Sequence, residues 1–428
     1  MPIDPWLPRA AALRPDRVAL EAPAASLTYA ELLARAGALD VAPGSRVALA
    51  LPPGLDFAVA LHACLLARAA AMPVDPRLAG PEREALLASA DMVVDAPPPA
   101  AAGAAPRGGG APVAPPASAA PPIAPTEADV ALVVHTSGTT AAPRPVELSF
   151  GNVQANALGS AVALGLDPDE RWLCPLPLSH VGGLMVLLRS AIYGTTAVLA
   201  PFERAAGDGI TIASLVPTML QRLLDAGAGP GPRLRRILLG GAPATPALLE
   251  RARDAGWPVV QTYGLTQACS QVTIAEPGDL HTAGRALPGL ALSLAPDGEI
   301  LVEGPTVAGG GTLRTGDLGR LDERGRLVVI GRKSDTIVTG GENVAPAEVE
   351  AALLAHPAVA DAAVFGRADP EWGEAVTASV VLRAPAGPEE LRRWCGERLA
   401  RFKVPKAFEV ADALPRTPSG KLQRREMR

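Results

Sequence analysis

The sequence predicts an α/β protein. It should hold a large N-terminal domain of mostly parallel α/β subdomains, a small β-barrel-like part, and a small α+β C-terminal domain. Three observations carry that expectation. The chain has 428 residues, more than one ordinary core takes. Short apolar runs alternate with helically spaced segments from residue 129 to 265. Beyond about residue 290 that alternation gives way to strand–turn–strand units.

Taken in order, residues 96–125 form a low-complexity stretch in which 26 of 30 are Ala, Pro or Gly, so a packed helix is not expected there. It reads as a flexible surface connection between two subdomains. DVALVVHT (129–136) is a strand ending in a Gly/Thr loop, and FGNVQANALGSAVALG (150–165) a helix. RWLCPLP (171–177) reads as a strand and VGGLMVLLRSAIYG (181–194) as a buried helix. TAVLA, TIASLV, LRRILLGG and PVVQTYG continue the strands, with helices PTMLQRLLDAG and ALLERARDAG among them. Repeated β–α alternation implies a parallel sheet covered on both faces, with ligands at the strands' carboxyl ends. LALSLAPDGEILVEG and GRLDERGRLVVIG turn at Asp297-Gly298 and Arg324-Gly325. The last ~95 residues hold two helices and two strands, separated from the rest near GRKSD (331–335).

Composition excludes several classes. Aromatics at 3% and a net charge of −5 argue against a nucleic-acid reader, which needs stacking faces and a basic field. Cys64, Cys174, Cys269 and Cys395 are scattered, with no CxxC, so neither a disulfide framework nor a zinc site is expected and a reducing cytoplasm fits. No secretory-type apolar stretch opens the chain, and no apolar run reaches ~18 residues, so no membrane span is expected.

The loop VVHTSGTTAAPRP (133–145) carries the first chemical signal. Thr136, Ser137, Thr139 and Thr140 place four hydroxyls around Gly138, a density of small donors suited to phosphate oxygens. It is not a Walker loop, since GxxxxGK[ST] is absent. Ser/Thr-Gly clusters also occur in ordinary loops. Four further motifs follow in a fixed order: YGLTQ (263–267), TGD (315–317), GRKSDTIVTGGENVAPAEVE (331–350) and PRTPSGKLQRREMR (415–428).

In this order and over this length, the set resembles the adenylate-forming superfamily of acyl-CoA synthetases, firefly-luciferase-like enzymes and adenylation domains. The resemblance implies an ATP-dependent acid–thiol ligase that forms an acyl-adenylate and passes it to a thiol, with ATP, Mg²⁺ and CoA as cofactors. It places Thr136, Ser137, Gly138, Thr139, Thr140 and Arg144 at the β- and γ-phosphates. Gly240, Gly241, Ala242, Thr262, Tyr263 and Gly264 border the adenine. Asp317 and Arg332 hold the ribose, and Thr266 and Lys421 contact the α-phosphate. It also implies a mobile small domain: residues 1–331 form the large domain, 332–335 the hinge and 336–428 the small domain. Lys333, Gly340 and Gly341 would then face CoA. By the same analogy the chain is a homodimer.

Two departures from the motif set stand out. Ala141 and Arg144 replace a glycine and a lysine. Gln267 replaces the glutamate that helps hold Mg²⁺, leaving a neutral amide oxygen as the candidate metal ligand. For the acid, PLPLSHVGGLMVLLRSAIYG (175–194) and QTYGLTQACSQV (261–272) resemble most the o-succinylbenzoate–CoA ligase branch of menaquinone biosynthesis. His180 is either a wall of the acyl pocket, with a catalytic part, or a core or capping histidine. Arg189, the only fixed charge in Leu178–Pro201, meets a second substrate carboxylate, an internal acid, or solvent by snorkelling. Ser270 and Gln271 offer polar contacts to the same pocket. Another acyl- or aryl-CoA ligase, a carrier-loading enzyme, and an inactive ATP-binding homologue are the competing readings.

Overall fold

Apolar strands that carry branched residues on both faces need cover on both sides, and the chain provides it with helices that are apolar nearly all round. Leu55–Leu66 is buried from Phe57 to Leu65, and Val181–Tyr193 along almost its whole length. In the computed structural model, which describes residues 1–78, 80–98, 124–136, 144–416 and 422–427, both helices belong to one continuous core. That core includes Val47, Leu49 and Leu132 of one sheet and Trp172, Ile212 and Leu238 of another.

The first of these sheets has five strands in the order Met92–Val94, Arg46–Leu49, Ala70–Pro73, Val130–Thr136, Arg144–Ser149. All pairs are parallel except the last. The second has nine strands. Its parallel centre runs Val259–Leu265, Arg236–Leu239, Ile212–Leu215, Arg171–Leu173, Thr196–Val198, Val18–Ala22. Antiparallel strands flank it, among them Ser270–Ile274 beside Val259–Leu265. The parallel arrangement expected from β–α alternation is therefore present twice.

One expectation is corrected. The Ala/Pro-rich stretch does not join two subdomains. Met92–Val94 before it and Val130–Thr136 after it are strands of the same five-stranded sheet. Subdomains are instead exchanged earlier, because Val18–Ala22 and Ala25–Thr28 sit in the nine-stranded sheet. Most of the stretch, 99–123, lies outside the described residues.

The strand–turn–strand units form a four-stranded antiparallel sheet, Ala291–Leu294, Glu299–Glu303, Thr312–Leu321, Leu327–Arg332. A short turn, Lys333–Asp335, leads from it into a C-terminal five-stranded sheet with the helices Pro346–Leu354 and Pro388–Gly396. This part has its own core around Val349, Leu353, Val364, Val380 and Leu391. All four cysteines are free and buried.

One cap fixes an element near the site. Ser149 and Asn152 form a reciprocal capping box that starts the Phe150–Leu164 helix directly after a strand. The same Asn152 amide donates to the Pro305 carbonyl at 2.7 Å, tying that helix to the segment before Thr312–Leu321.

Candidate functional site

Adjacent parallel strands bring their carboxyl ends side by side, so Gly240–Ala242 after Arg236–Leu239 lies next to Thr262 and Tyr263. The approach is close. A Cβ on Gly240 would lie 2.6 Å from Thr262 Oγ1, whose hydroxyl donates to the Leu239 carbonyl at 3.3 Å. Gly241 follows with φ +80°, a turn that favours glycine.

Beyond Tyr263 the chain doubles back. A Cβ on Gly264 would lie 1.8 Å from the Ser270 carbonyl oxygen, so the glycine is required by backbone contact across the Gly264–Gln271 pair. Cys269 and Ser270 both take positive φ in this tight return. Thr266 and Gln267 occupy the short helical turn Thr266–Ala268 and are half-buried. The Gln267 carbonyl accepts from Ala308 N at 2.8 Å. The Arg144–Ser149 strand packs against that turn.

Three residues far apart in sequence meet in one place. Tyr263 Oη donates to Asp317 Oδ2 at 2.7 Å, and Arg332 Nε stands 2.8 Å from Asp317 Oδ1. Asp317 and Arg332 face each other across neighbouring strands. Tyr263 is buried, and burial and then the Asp317 charge raise its pKa, so the phenol keeps its proton and donates. A carboxylate oxygen can accept more than one hydrogen bond, so the contacts with Tyr263 and Arg332 do not by themselves exclude a diol.

Thr136 and Arg144 pair at the base of a hairpin, with Thr136 Oγ1 donating to the Arg144 carbonyl at 3.3 Å. Ser137, Gly138, Thr139, Thr140 and Ala141 lie outside the described residues, as does Lys421. Among the described residues no group of three or more metal-binding side chains occurs. The donors present, the Gln267 amide and the Thr136 and Thr266 hydroxyls, fit a Mg²⁺ ion held chiefly by the phosphates of its own nucleotide.

The acid-side residues sit on Val181–Tyr193 and the hairpin behind Tyr263. His180 precedes that helix, and its side chain makes no capping bond. Burial lowers its pKa, so the imidazole is neutral at neutral pH. Arg189 is 3% exposed, which rules out snorkelling, and forms no ion pair among the described residues. Its Nη2 donates to Asn156 Oδ1 at 2.6 Å, its guanidinium lies 5.5 Å from the Trp172 ring centroid, and its Nε has no partner among the described residues. Asn156 Nδ2 donates in turn to the Gln271 carbonyl at 2.8 Å. The Gln271 side-chain amide is buried with neither polar atom partnered among the described residues. Ser270 is half-buried at the same turn. Buried polar atoms without partners are uncommon and call for an explanation. Sequence reasoning missed Asn156. The signal was there, because Val153, Asn156, Ala157 and Ser160 share one helical face.

A separate cleft of 430 Å³ opens beside Ser179, lined by Phe57, Val74, Asp75, Leu176 and Leu199. Ser179 Oγ donates to Asp75 Oδ2 at 3.1 Å, which ties the loop before His180 to the end of Ala70–Pro73. Neither Tyr263 nor Arg189 lines this cleft.

On the small-domain side, Lys333 Nζ pairs with Asp297 at 2.5 Å and Glu299 at 3.4 Å. Gly340 and Gly341 are the two-residue turn between Ile337–Thr339 and Glu342–Val344, with φ +58° and +83°. A Cβ on Gly340 would lie 2.9 Å from the Trp372 ring, and the Lys406 ammonium stands 3.0 Å from that ring's centroid. The structure thus gathers Tyr263, Asp317 and Arg332 into one cluster and Arg189, Asn156 and Gln271 into another. Lys333 directly follows Arg332 and pairs with Asp297 and Glu299, while Gly340 and Gly341 form their own turn.

A model of the AMP-binding enzyme family matches residues 7–310, and its C-terminal-domain counterpart matches 348–421. The chain belongs to that family. Among AMP-binding enzymes, a 2-succinylbenzoate–CoA ligase of Bacillus velezensis is 37% identical, the match covering 99% of this chain and 97% of the relative. The o-succinylbenzoate CoA synthetase (MenE) of Bacillus subtilis, solved with the acyl-adenylate intermediate OSB-AMP, superposes with a TM-score of 0.84 at 33% identity, covering 100% of this chain and 98% of the other. The same enzyme with ATP and magnesium ion gives 0.85 at 33%, covering 100% and 99%. The superfamily resemblance and the fold class read from the motifs are borne out. No helix among the described residues is long and apolar enough to cross a membrane.

Proposed function

We propose that the protein is an ATP-dependent 2-succinylbenzoate–CoA ligase, joining o-succinylbenzoate to CoA by adenylation and then thioesterification, in menaquinone biosynthesis. The observation that carries the choice of acid is Arg189, a buried cation with no acid beside it among the described residues, next to the unpartnered Gln271 amide. An acid with a second carboxylate supplies the missing counter-ion. A free carboxylate is a poor acyl donor, and joining it to AMP gives it a good leaving group. The enzyme must bring two anions together, so donors and cations in a dry cleft do most of the work.

In this reading Asp317 accepts both ribose hydroxyls while Tyr263 and Arg332 hold its carboxylate in place. Tyr263, Thr262, Gly264 and Gly240–Ala242 border the adenine. The 136–140 loop and Arg144 hold the outer phosphates, and Thr266 donates to the α-phosphate. Lys421 bridges the α-phosphate and the acid. His180, neutral, walls the acyl pocket, and Ser270 and Gln271 contact the acid. Rotation about 332–335 then withdraws Lys421 and brings Gly340 and Gly341 to the pantetheine channel, where bare backbone leaves room. Lys333 leaves Asp297 and Glu299 in that motion. A homodimer and a cytoplasmic location accompany the reading by family analogy.

Pyrophosphate release and CoA consumption against a panel of acids test the assignment. 2-Succinylbenzoate is expected to be turned over with a kcat/KM about 10²-fold above that of 4-oxo-4-phenylbutanoate, the same skeleton without the ring carboxylate. A preference for the monoacid points to another acyl- or aryl-CoA ligase. Pyrophosphate release without CoA consumption points to a carrier protein as acceptor, and no release with any acid to an inactive homologue.

Bound Mg²⁺ neutralises phosphate charge, and Gln267 offers it only a neutral oxygen. Gln267→Glu is therefore expected to reach half-maximal rate at about three- to tenfold lower Mg²⁺ than the wild type. Superimposable Mg²⁺ titrations would remove Gln267 from the metal's surroundings.

A further inference from the structure

A core-facing helical stripe has no need of an amide, yet Asn156 sits in one with 0% exposure. Both ends of that amide are committed. Nδ2 donates to the Gln271 carbonyl, which can only accept, so the amide is not free to flip and Oδ1 is the atom turned to Arg189. Arg189 receives a neutral acceptor where an aspartate of the same shape would give it a full ion pair. Among the described residues, the other ionisable groups that act on Arg189 do not neutralise it either. Burial pushes the Cys269 thiol and the Tyr193 phenol up to about 12, so both are uncharged at neutral pH. Tyr193 in addition donates its hydroxyl proton to the Ala157 carbonyl. A guanidinium stays protonated even when buried, and a lone buried charge is costly to keep.

We infer that Asn156 is a positioning residue for acid selection: it fixes Arg189 in place without neutralising it, so that the counter-ion must come from a second carboxylate on the substrate. This rests on the dicarboxylate reading above. The binding energy of the second carboxylate then depends on residue 156 being an amide rather than an acid.

The experiment compares 2-succinylbenzoate with 4-oxo-4-phenylbutanoate in wild type, Asn156→Asp and Asn156→Ala, with KM for ATP measured alongside. Asn156→Asp places the counter-ion inside the protein. It is expected to raise KM for the diacid about 100-fold, while KM for the monoacid and for ATP stay within about threefold. Asn156→Ala removes the anchor but adds no charge, and a rise of about tenfold for the diacid alone is expected. In an Arg189→Gln background, Asn156→Asp should add no further loss of selectivity.

A packing role would move both acids and ATP together, and that result in folded variants overturns the inference. So does an Asn156→Asp protein that keeps the wild-type preference for the diacid. Should Asn156→Asp fail to fold by circular dichroism, the alanine variant decides on the same criterion. A wild type with no diacid preference sinks this inference and the proposed substrate together. A wild-type preference that survives both substitutions sinks this inference alone.

Discussion

Lys421→Ala is expected to slow acyl-adenylate formation by about 10²–10³-fold and to leave the second half-reaction within a few-fold of wild type. The asymmetry follows from charge. In the first step a carboxylate approaches a phosphate, and the transition state gathers negative charge that a cation at the meeting point stabilises. In the second, a thiol attacks an acyl-adenylate, and the proposed rotation has already taken the lysine away. Supplying preformed acyl-adenylate and following CoA consumption isolates that step, while pyrophosphate release reports the first. Equal losses in both steps would mean that Lys421 acts throughout, and the rotation would lose its rationale.

The surroundings of Lys421 sharpen this expectation. From sequence, the basic tail Arg416, Lys421, Arg424, Arg425, Arg428 reads equally well as a wet surface. The structure shows that two of these cations are spent on internal acids. Arg416 pairs with Asp361 at 2.8 Å and sits opposite Leu422 in an isolated bridge. Arg424 pairs with Glu350 at 2.8 Å and with Asp335, in the turn between the two domains, at 3.1 Å. Arg416 and Arg424 therefore anchor the segment on either side of Lys421. Sequence distance hides this, because Glu350 and Asp335 lie 74 and 89 positions from Arg424.

The same limit separates what was legible from what was not. Period and punctuation are local, so the Val181–Tyr193 helix, the Arg236–Leu239 strand and the turn at Gly298 could be read directly. Pairing between distant strands is not local. The Ala/Pro-rich stretch therefore passed for a boundary between subdomains, although its flanking strands share a sheet. Arg189 illustrates both sides. An isolated charge on an apolar helix marked it as unusual, yet its actual partner, Asn156, comes from another helix 33 positions away. The glycines divide in a similar way. Gly264 belongs to a nucleotide motif by resemblance, but the immediate need for it is a carbonyl oxygen 1.8 Å from where a Cβ would stand.

Asp317→Asn is expected to raise KM for ATP by about 10- to 100-fold with KM for the acid little changed, and to lower stability by about 1–3 kcal/mol. The substitution keeps size and removes charge, so its effects come from the lost ion pair with Arg332 and from rearranged hydrogen bonds. In the wild type Oδ2 accepts from Tyr263 Oη, and Oδ1 forms an ion pair with Arg332 Nε 2.8 Å away. An asparagine has one accepting end. If its oxygen keeps Tyr263, its amide nitrogen faces the Arg332 N–H, donor against donor; if it keeps Arg332, the buried phenol must turn to act as acceptor. Arg332 is 39% exposed and can move into water, whereas Tyr263 is buried, so the first arrangement is favoured and Arg332 is released. On the ribose roles proposed for both residues, release of Arg332 removes one contact and the neutral amide weakens another, which is why the loss is expected on ATP. Pyrophosphate exchange at varied ATP and varied acid separates the two KM values, and a denaturant melt gives the stability change. Tyr263→Phe is the control, since it deletes one donor and leaves the Asp317–Arg332 pair, and its ATP effect should be smaller. If the acid KM rose in step with that for ATP in Asp317→Asn, the carboxylate would be holding the whole cleft together rather than gripping a ribose.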